Sequence, residues 1–144
     1  MAKVVLDTNV FVSALLTRKS PPAQILDAWK RGLFTLVVSP VLVEEILRVL
    51  RYPKIRNKYQ ITEEDVEALL SLLKQEAFWV QGSAAVEGAI PEDPDDEHIL
   101  ATALEGEADV IVSGDEHLLQ LHHFRHVPIM SPREFLAYLK DLRR

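Results

Sequence analysis

Apolar positions along this chain follow two rhythms. Short unbroken runs alternate with longer segments in which apolar residues recur every three or four positions, the pattern of a parallel sheet covered by helices. Val4 to Leu6 predicts the first strand, Phe34 to Val38 the second, Ala77 to Val80 the third, Val110 to Val112 the fourth and Val127 to Met130 the fifth. Between them, helices are predicted from Asn9 to Leu16, from Pro21 to Arg31 and from Pro40 to about Arg51, where Pro53 stops the last. Another follows Thr62, with Val66, Leu69, Leu70 and Leu73 on one face. A helix begins at Asp93-Pro94 and runs through Glu105, His117 to Leu121 make a short helical turn, and the last helix starts after Ser131. The stretch from Gly82 to Pro91 carries no period and reads as loop.

Boundaries are well marked. Ser20-Pro21-Pro22, Ser39-Pro40 and Ser131-Pro132 each place a capping hydroxyl before a proline, and Gly32 lies just past the end of its helix. Ser131 with Glu134 has the spacing of a capping box. The expectation is an α/β fold, a five-stranded parallel sheet flanked by helices.

At 144 residues the chain amounts to one domain, 1–144. Its 48% apolar and 26% charged residues are ordinary globular values, which excludes a disordered tail or a fibre. No apolar stretch approaches the ~20 residues of a membrane span. Met1-Ala2-Lys3 leads directly into the first strand without a signal peptide, so a soluble, cytoplasmic protein is expected. Cysteine is absent, which removes disulfides, zinc thiolates and cysteine nucleophiles. The net charge of −6 speaks against a protein that coats DNA, yet leaves room for a nucleic-acid enzyme with local basic patches.

The acids sort by position. Asp7 directly follows the first strand, and Asp115 follows the fourth after Ser113-Gly114; ligands of an open parallel sheet bind beyond these strand ends. A strand-ending Asp is more often a turn or cap residue, but two at one edge of a sheet carry more weight. Glu44 lies opposite the buried face of its helix, one turn from Arg48, as a solvated pair, whereas Glu45 borders the apolar stripe and can face a cleft. Asp93 suits an N-cap before Pro94. Asp96 shares the face of Ile99, Leu100 and Ala103, where a carboxylate is costly unless paired, although a first-turn helix acid is the plainer reading. Four carboxylates, Asp7, Glu45, Asp96 and Asp115, converging without an obvious lysine or arginine would repel one another. Mg²⁺ or Mn²⁺ relieves that repulsion and handles phosphates, so the pattern points to metal-assisted phosphodiester hydrolysis.

Four segments resemble the PIN-domain ribonucleases: Val5-Leu6-Asp7-Thr8-Asn9-Val10, Ser39-Pro40-Val41-Leu42-Val43-Glu44-Glu45-Ile46, Asp93-Pro94-Asp95-Asp96-Glu97-His98-Ile99-Leu100-Ala101-Thr102-Ala103 and Val110-Ile111-Val112-Ser113-Gly114-Asp115. Each is short; their order from about Val4 to Leu139 carries the likeness. The branch most resembled is that of toxin components of toxin–antitoxin pairs, similar to the VapC-type toxins. The resemblance implies a single PIN-like domain and a Mg²⁺- or Mn²⁺-dependent endoribonuclease. Its metal and catalytic acids would be Asp7, Glu45, Asp96 and Asp115, supported by Asn9, Ser113 and Asp93, with the nearer ligand of Asp93 and Asp96 left open. It also implies a cognate antitoxin partner; the oligomeric state, a homodimer among the options, stays open.

Arg48, Arg51, Lys54, Arg56 and Lys58, interleaved with Tyr52 and Tyr59, have a composition suited to RNA phosphates and bases, and equally to a solvated helix end. His117, His122, His123 and His126 match no strong ligand spacing and read as a surface turn; Trp29 and Trp79 read as core. Two alternatives stand beside the nuclease. One is phosphoryl transfer through an aspartyl phosphate at Asp7, although Asn9 stands where the dehalogenase pattern wants an acid. The other is a non-catalytic module that binds RNA or protein.

Overall fold

Val4 and Val5 of the first strand are wholly buried, as both faces of a central parallel strand must be when helices cover the sheet on each side. The structure, a computed structural model, describes residues 1–83 and 97–142. Its strands are β1 (Lys3–Leu6), β2 (Thr35–Val38), β3 (Phe78–Trp79), β4 (Val110–Val112), β5 (His123–Phe124) and β6 (Val127–Met130). The helices are α1 (Thr8–Leu16), α2 (Pro21–Lys30), α3 (Pro40–Arg51), α4 (Pro53–Tyr59), α5 (Glu63–Glu76), α6 (Glu97–Glu105), α7 (Glu116–Leu119) and α8 (Pro132–Leu142). The sheet order is β3-β2-β1-β4-β6-β5, parallel throughout except for the β5–β6 pair.

The expected five strands are all present, and a sixth is added. β5 forms an antiparallel hairpin with β6 in which Phe124 pairs with Val127. Two residues long and drawn from a histidine-rich stretch, it has no apolar alternation to reveal it; Arg125 at φ 55° makes its turn. The second difference is α4. Pro53 ends α3 but also opens a new helix, because a proline's fixed φ suits the first helical position.

All three serine-proline starts cap as expected: Ser20 accepts from the Ala23 amide at 3.2 Å, Ser39 from Leu42 at 3.4 Å and Ser131 from Glu134 at 3.2 Å. Thr62 and Asp65 complete a further capping box. Aromatic contacts close the core below α2 and α8, with Phe34 edge-on to Phe135 at 5.4 Å and Trp29 tilted against Phe11 at 6.5 Å. Trp79 is half-buried and its indole donates to the Leu73 carbonyl, so both tryptophans are structural. Among the described residues no helix is long and apolar enough to cross a membrane.

Candidate functional site

Strand order reverses at β1: β2 lies on one side of it and β4 on the other. In open α/β sheets this switch point opens a crevice beyond the strands' carboxyl ends, and that is where Asp7 and Asp115 emerge. Leu6 pairs with Val112, and the ladder continues one step as the Asp7 amide donates to the Val112 carbonyl at 2.9 Å. Ser113 is fixed in turn by the hydrogen bond that its backbone N–H donates to the Met130 carbonyl.

Asp7 occupies the N-cap position of α1, yet its side chain makes no capping bond. Its Oδ2 instead accepts from the Ser113 hydroxyl at 2.7 Å, and the residue is only 3% exposed. Burial pushes its carboxyl pKa up; the Ser113 hydrogen bond opposes that, the charges of Asp115 and Glu45 add to it, and the Thr8 amide lowers it slightly. Among the described residues no lysine or arginine contributes to that rise. The Ser113 hydroxyl also accepts from the Asp115 amide at 2.9 Å, so one buried oxygen ties the two acidic segments together. Asp115 does cap α7, accepting from the His117 amide at 2.8 Å, and the His117 ring lies 3.8 Å from the same oxygen.

Glu45 projects from the second turn of α3, half-buried, while Glu44 is exposed, as the helical period requires. Its Oε2 meets His98 Nε2 of α6 at 2.6 Å. The two helices are held together a second time by a buried pair, the Ser39 and Thr102 hydroxyls 2.8 Å apart. Gly82, at φ +78°, lies against that pair, and a side chain there would sit 2.9 Å from Ser39 Cβ. Neither His98 nor Thr102 was anticipated. The available signal was their spacing of four in a helix otherwise lined by Ile99, Leu100, Ala101 and Ala103.

Asp93 and Asp96 lie outside the described residues. Among the described residues no three acidic or histidine side chains converge closely enough to chelate a metal. Asn9 is exposed at the start of α1. The histidines of the β5 region are exposed as expected of a surface turn. In the basic segment, Arg51 is committed to Glu63 through two bonds of 3.1 Å, and Arg56 lies 3.9 Å from the same carboxylate. Arg48, Lys54 and Lys58 are exposed, and Lys58 sits over the Tyr59 ring. A groove of about 610 Å³ between α2 and α8 is lined by Gln24, Asp27, Arg31 and Lys140, none of them among these acids.

Residues 3–117 match the family described as PIN domain. An uncharacterized protein of Methanocaldococcus jannaschii is 29% identical over 142 residues, covering 93% of this chain and 89% of its own length. The crystal structure of FitAcB from Neisseria gonorrhoeae superposes with a TM-score of 0.51 at 18% identity, over 90% of this chain and 98% of that one, a likeness of fold.

Proposed function

The chain belongs to the PIN domain family, whose members are generally nucleases, and from that premise we propose that it is a Mg²⁺- or Mn²⁺-dependent endoribonuclease, the toxin of a toxin–antitoxin pair. The observation that carries this reading is Asp7: a buried carboxylate on which, among the described residues, the charges that act are those of two further acids. Such a group is costly in a folded protein unless a cation completes it.

The donor chemistry fits. Asp7, Glu45, Asp96 and Asp115 offer only oxygen, the ligand type hard divalent cations take, and the buried Thr8 Oγ1 has no partner among the described residues. These four acids would hold the ion or orient its ligands, with Asp93 and Asn9 as polar support and Ser113 keeping Asp7 in place. When bound, the ion supplies Lewis acidity to the phosphoryl group and acidifies water at the site. Water would add to phosphorus as the P–O bond to the in-line leaving oxygen breaks, its proton passing to one of the carboxylates as general base while the leaving oxygen takes a proton from solvent.

RNA phosphates fall to Arg48, Lys54 and Lys58, with Tyr52 and Tyr59 as stacking surfaces, and Arg51 and Arg56 join by exchanging Glu63 for phosphate. The resemblance to toxin components supports an antitoxin protein as partner; a homodimer as assembly and the cytoplasm as the place of action are proposed beside it.

The test is cleavage of a mixed RNA pool by purified protein with Mn²⁺, with Mg²⁺ and with EDTA, beside Asp7→Asn and Asp96→Asn prepared identically. Metal-dependent cleavage lost in both variants is expected. A folded wild-type protein that cleaves nothing under any metal would overturn the reading.

A further inference from the structure

His98 of α6 grips a proposed ligand carried by a neighbouring helix, Glu45 of α3. Its Nε2 lies 2.6 Å from Glu45 Oε2, with side-chain exposures of 12% and 25%. Short contacts of this kind to a carboxylate are among the stronger and more directional hydrogen bonds. The other ring nitrogen, Nδ1, is buried with no partner among the described residues. A neutral imidazole carries one N–H, and placing it on Nε2 serves Glu45 without burying an unpaired donor.

The backbone beneath His98 is fixed as well. Its carbonyl accepts from the Thr102 hydroxyl at 2.7 Å, and Thr102 pairs with Ser39, the N-cap of the helix that carries Glu45. Ser39 with Thr102 and Glu45 with His98 are therefore two ties between α3 and α6. The first sets the helices and the second sets the carboxylate. A glutamate in a mid-helix position otherwise has the rotamer freedom to leave the crevice for solvent.

We propose that His98 is a positioning residue: through Nε2 it holds one oxygen of Glu45, so that the carboxylate is already turned toward the crevice when a divalent cation arrives. Ligands held by an outer hydrogen bond bind metal more tightly because their orientation is settled beforehand. The inference rests on the nuclease reading, and it deepens that reading by assigning a role to a residue outside the four acids.

The experiment is Mn²⁺ titration of the full chain by calorimetry, with wild type, Asp7→Asn, His98→Phe, His98→Asn and His98→Gln, each checked for folding by circular dichroism and thermal melt. Phenylalanine fills the space without a donor, asparagine is polar but too short to reach Oε2, and glutamine restores an amide donor at the Nε2 position. His98→Phe and His98→Asn should lose about 10–100-fold in Mn²⁺ affinity, and His98→Gln should recover most of it. Folded His98→Phe or His98→Asn binding Mn²⁺ as wild type does would overturn the positioning role alone. So would a folded His98→Gln as weak as His98→Asn. Wild type and Asp7→Asn both failing to bind Mn²⁺ would overturn the nuclease reading and this inference with it.

Discussion

Ser113 Oγ donates to Asp7 Oδ2 at 2.7 Å, joining the ends of two adjacent strands that are 106 residues apart in sequence. The same oxygen accepts from the Asp115 amide, so a single hydroxyl organises both acids at the switch point of the sheet. This bond also moderates the rise in the Asp7 pKa that burial causes.

Removing it has a defined consequence. Ser113→Ala leaves a buried carboxylate short of its charge-assisted donor, and a loss of roughly 1.5–3 kcal/mol is expected in urea denaturation. Ser113→Thr keeps the hydroxyl and should restore most of that stability.

Asp7 itself should reduce the stability of the metal-free fold at neutral pH. Its folded pKa is raised above the ordinary carboxylate value of 3.8, so the folded state binds the proton more tightly than the unfolded one. Its stabilising contribution is then complete below about 3.8 and is lost as pH rises through the folded value. Asp7→Asn in EDTA should therefore melt higher than wild type at pH 7, by a few degrees for each ~1 kcal/mol gained. The gap should close as pH falls toward 3.8. The same variant should lack cleavage, which would separate stability from activity at one residue.

The Ser39–Thr102 pair predicts non-additivity. Ser39→Ala removes an N-cap bond as well as the partner of a buried hydroxyl, and Thr102→Val removes the other half. Each should cost about 1–2 kcal/mol, and the double variant less than their sum, because the shared hydroxyl–hydroxyl bond is lost only once. A double-mutant cycle by chemical denaturation reads this directly.

Gly106 tests how closely α6 approaches the sheet. A Cβ at this position would run into Val37 Cγ1 of β2. Gly106→Ala should destabilise by roughly 1–3 kcal/mol, and Val37→Ala combined with it should cost less than the two changes added.

The basic segment separates by salt dependence. Lys54→Ala and Lys58→Ala should each weaken RNA binding and flatten its salt slope by roughly 0.7 per lost phosphate contact on single strands. Arg51→Ala also removes the ion pair to Glu63, so its thermal melt should shift where those of the lysine variants do not.

Much of this protein was written in local chemistry. The serine-proline caps act over three residues, and β4 and β6 lie where their apolar runs do, so these features needed no knowledge of the rest of the chain. The separation of Glu44 from Glu45 followed from helical period alone, and placing Asp7 at a strand end required only the end of an apolar run. Asp93 and Asp96 fall outside the described residues, so their sequence-based placement has no structural counterpart.

Tertiary structure decided what depends on distant partners. That Asp7 turns from its cap position to Ser113 depends on the β1–β4 register, and no local pattern encodes the pairing of strands so far apart. His98 reaching Glu45, Thr102 reaching Ser39 and Arg51 reaching Glu63 depend on how helices pack. The hairpin of β5 likewise exists only because β6 offers an edge. Periodicity sets which face of an element is apolar, because that is a property of the backbone's own repeat. Which polar side chain then meets which is settled only when those faces are brought together.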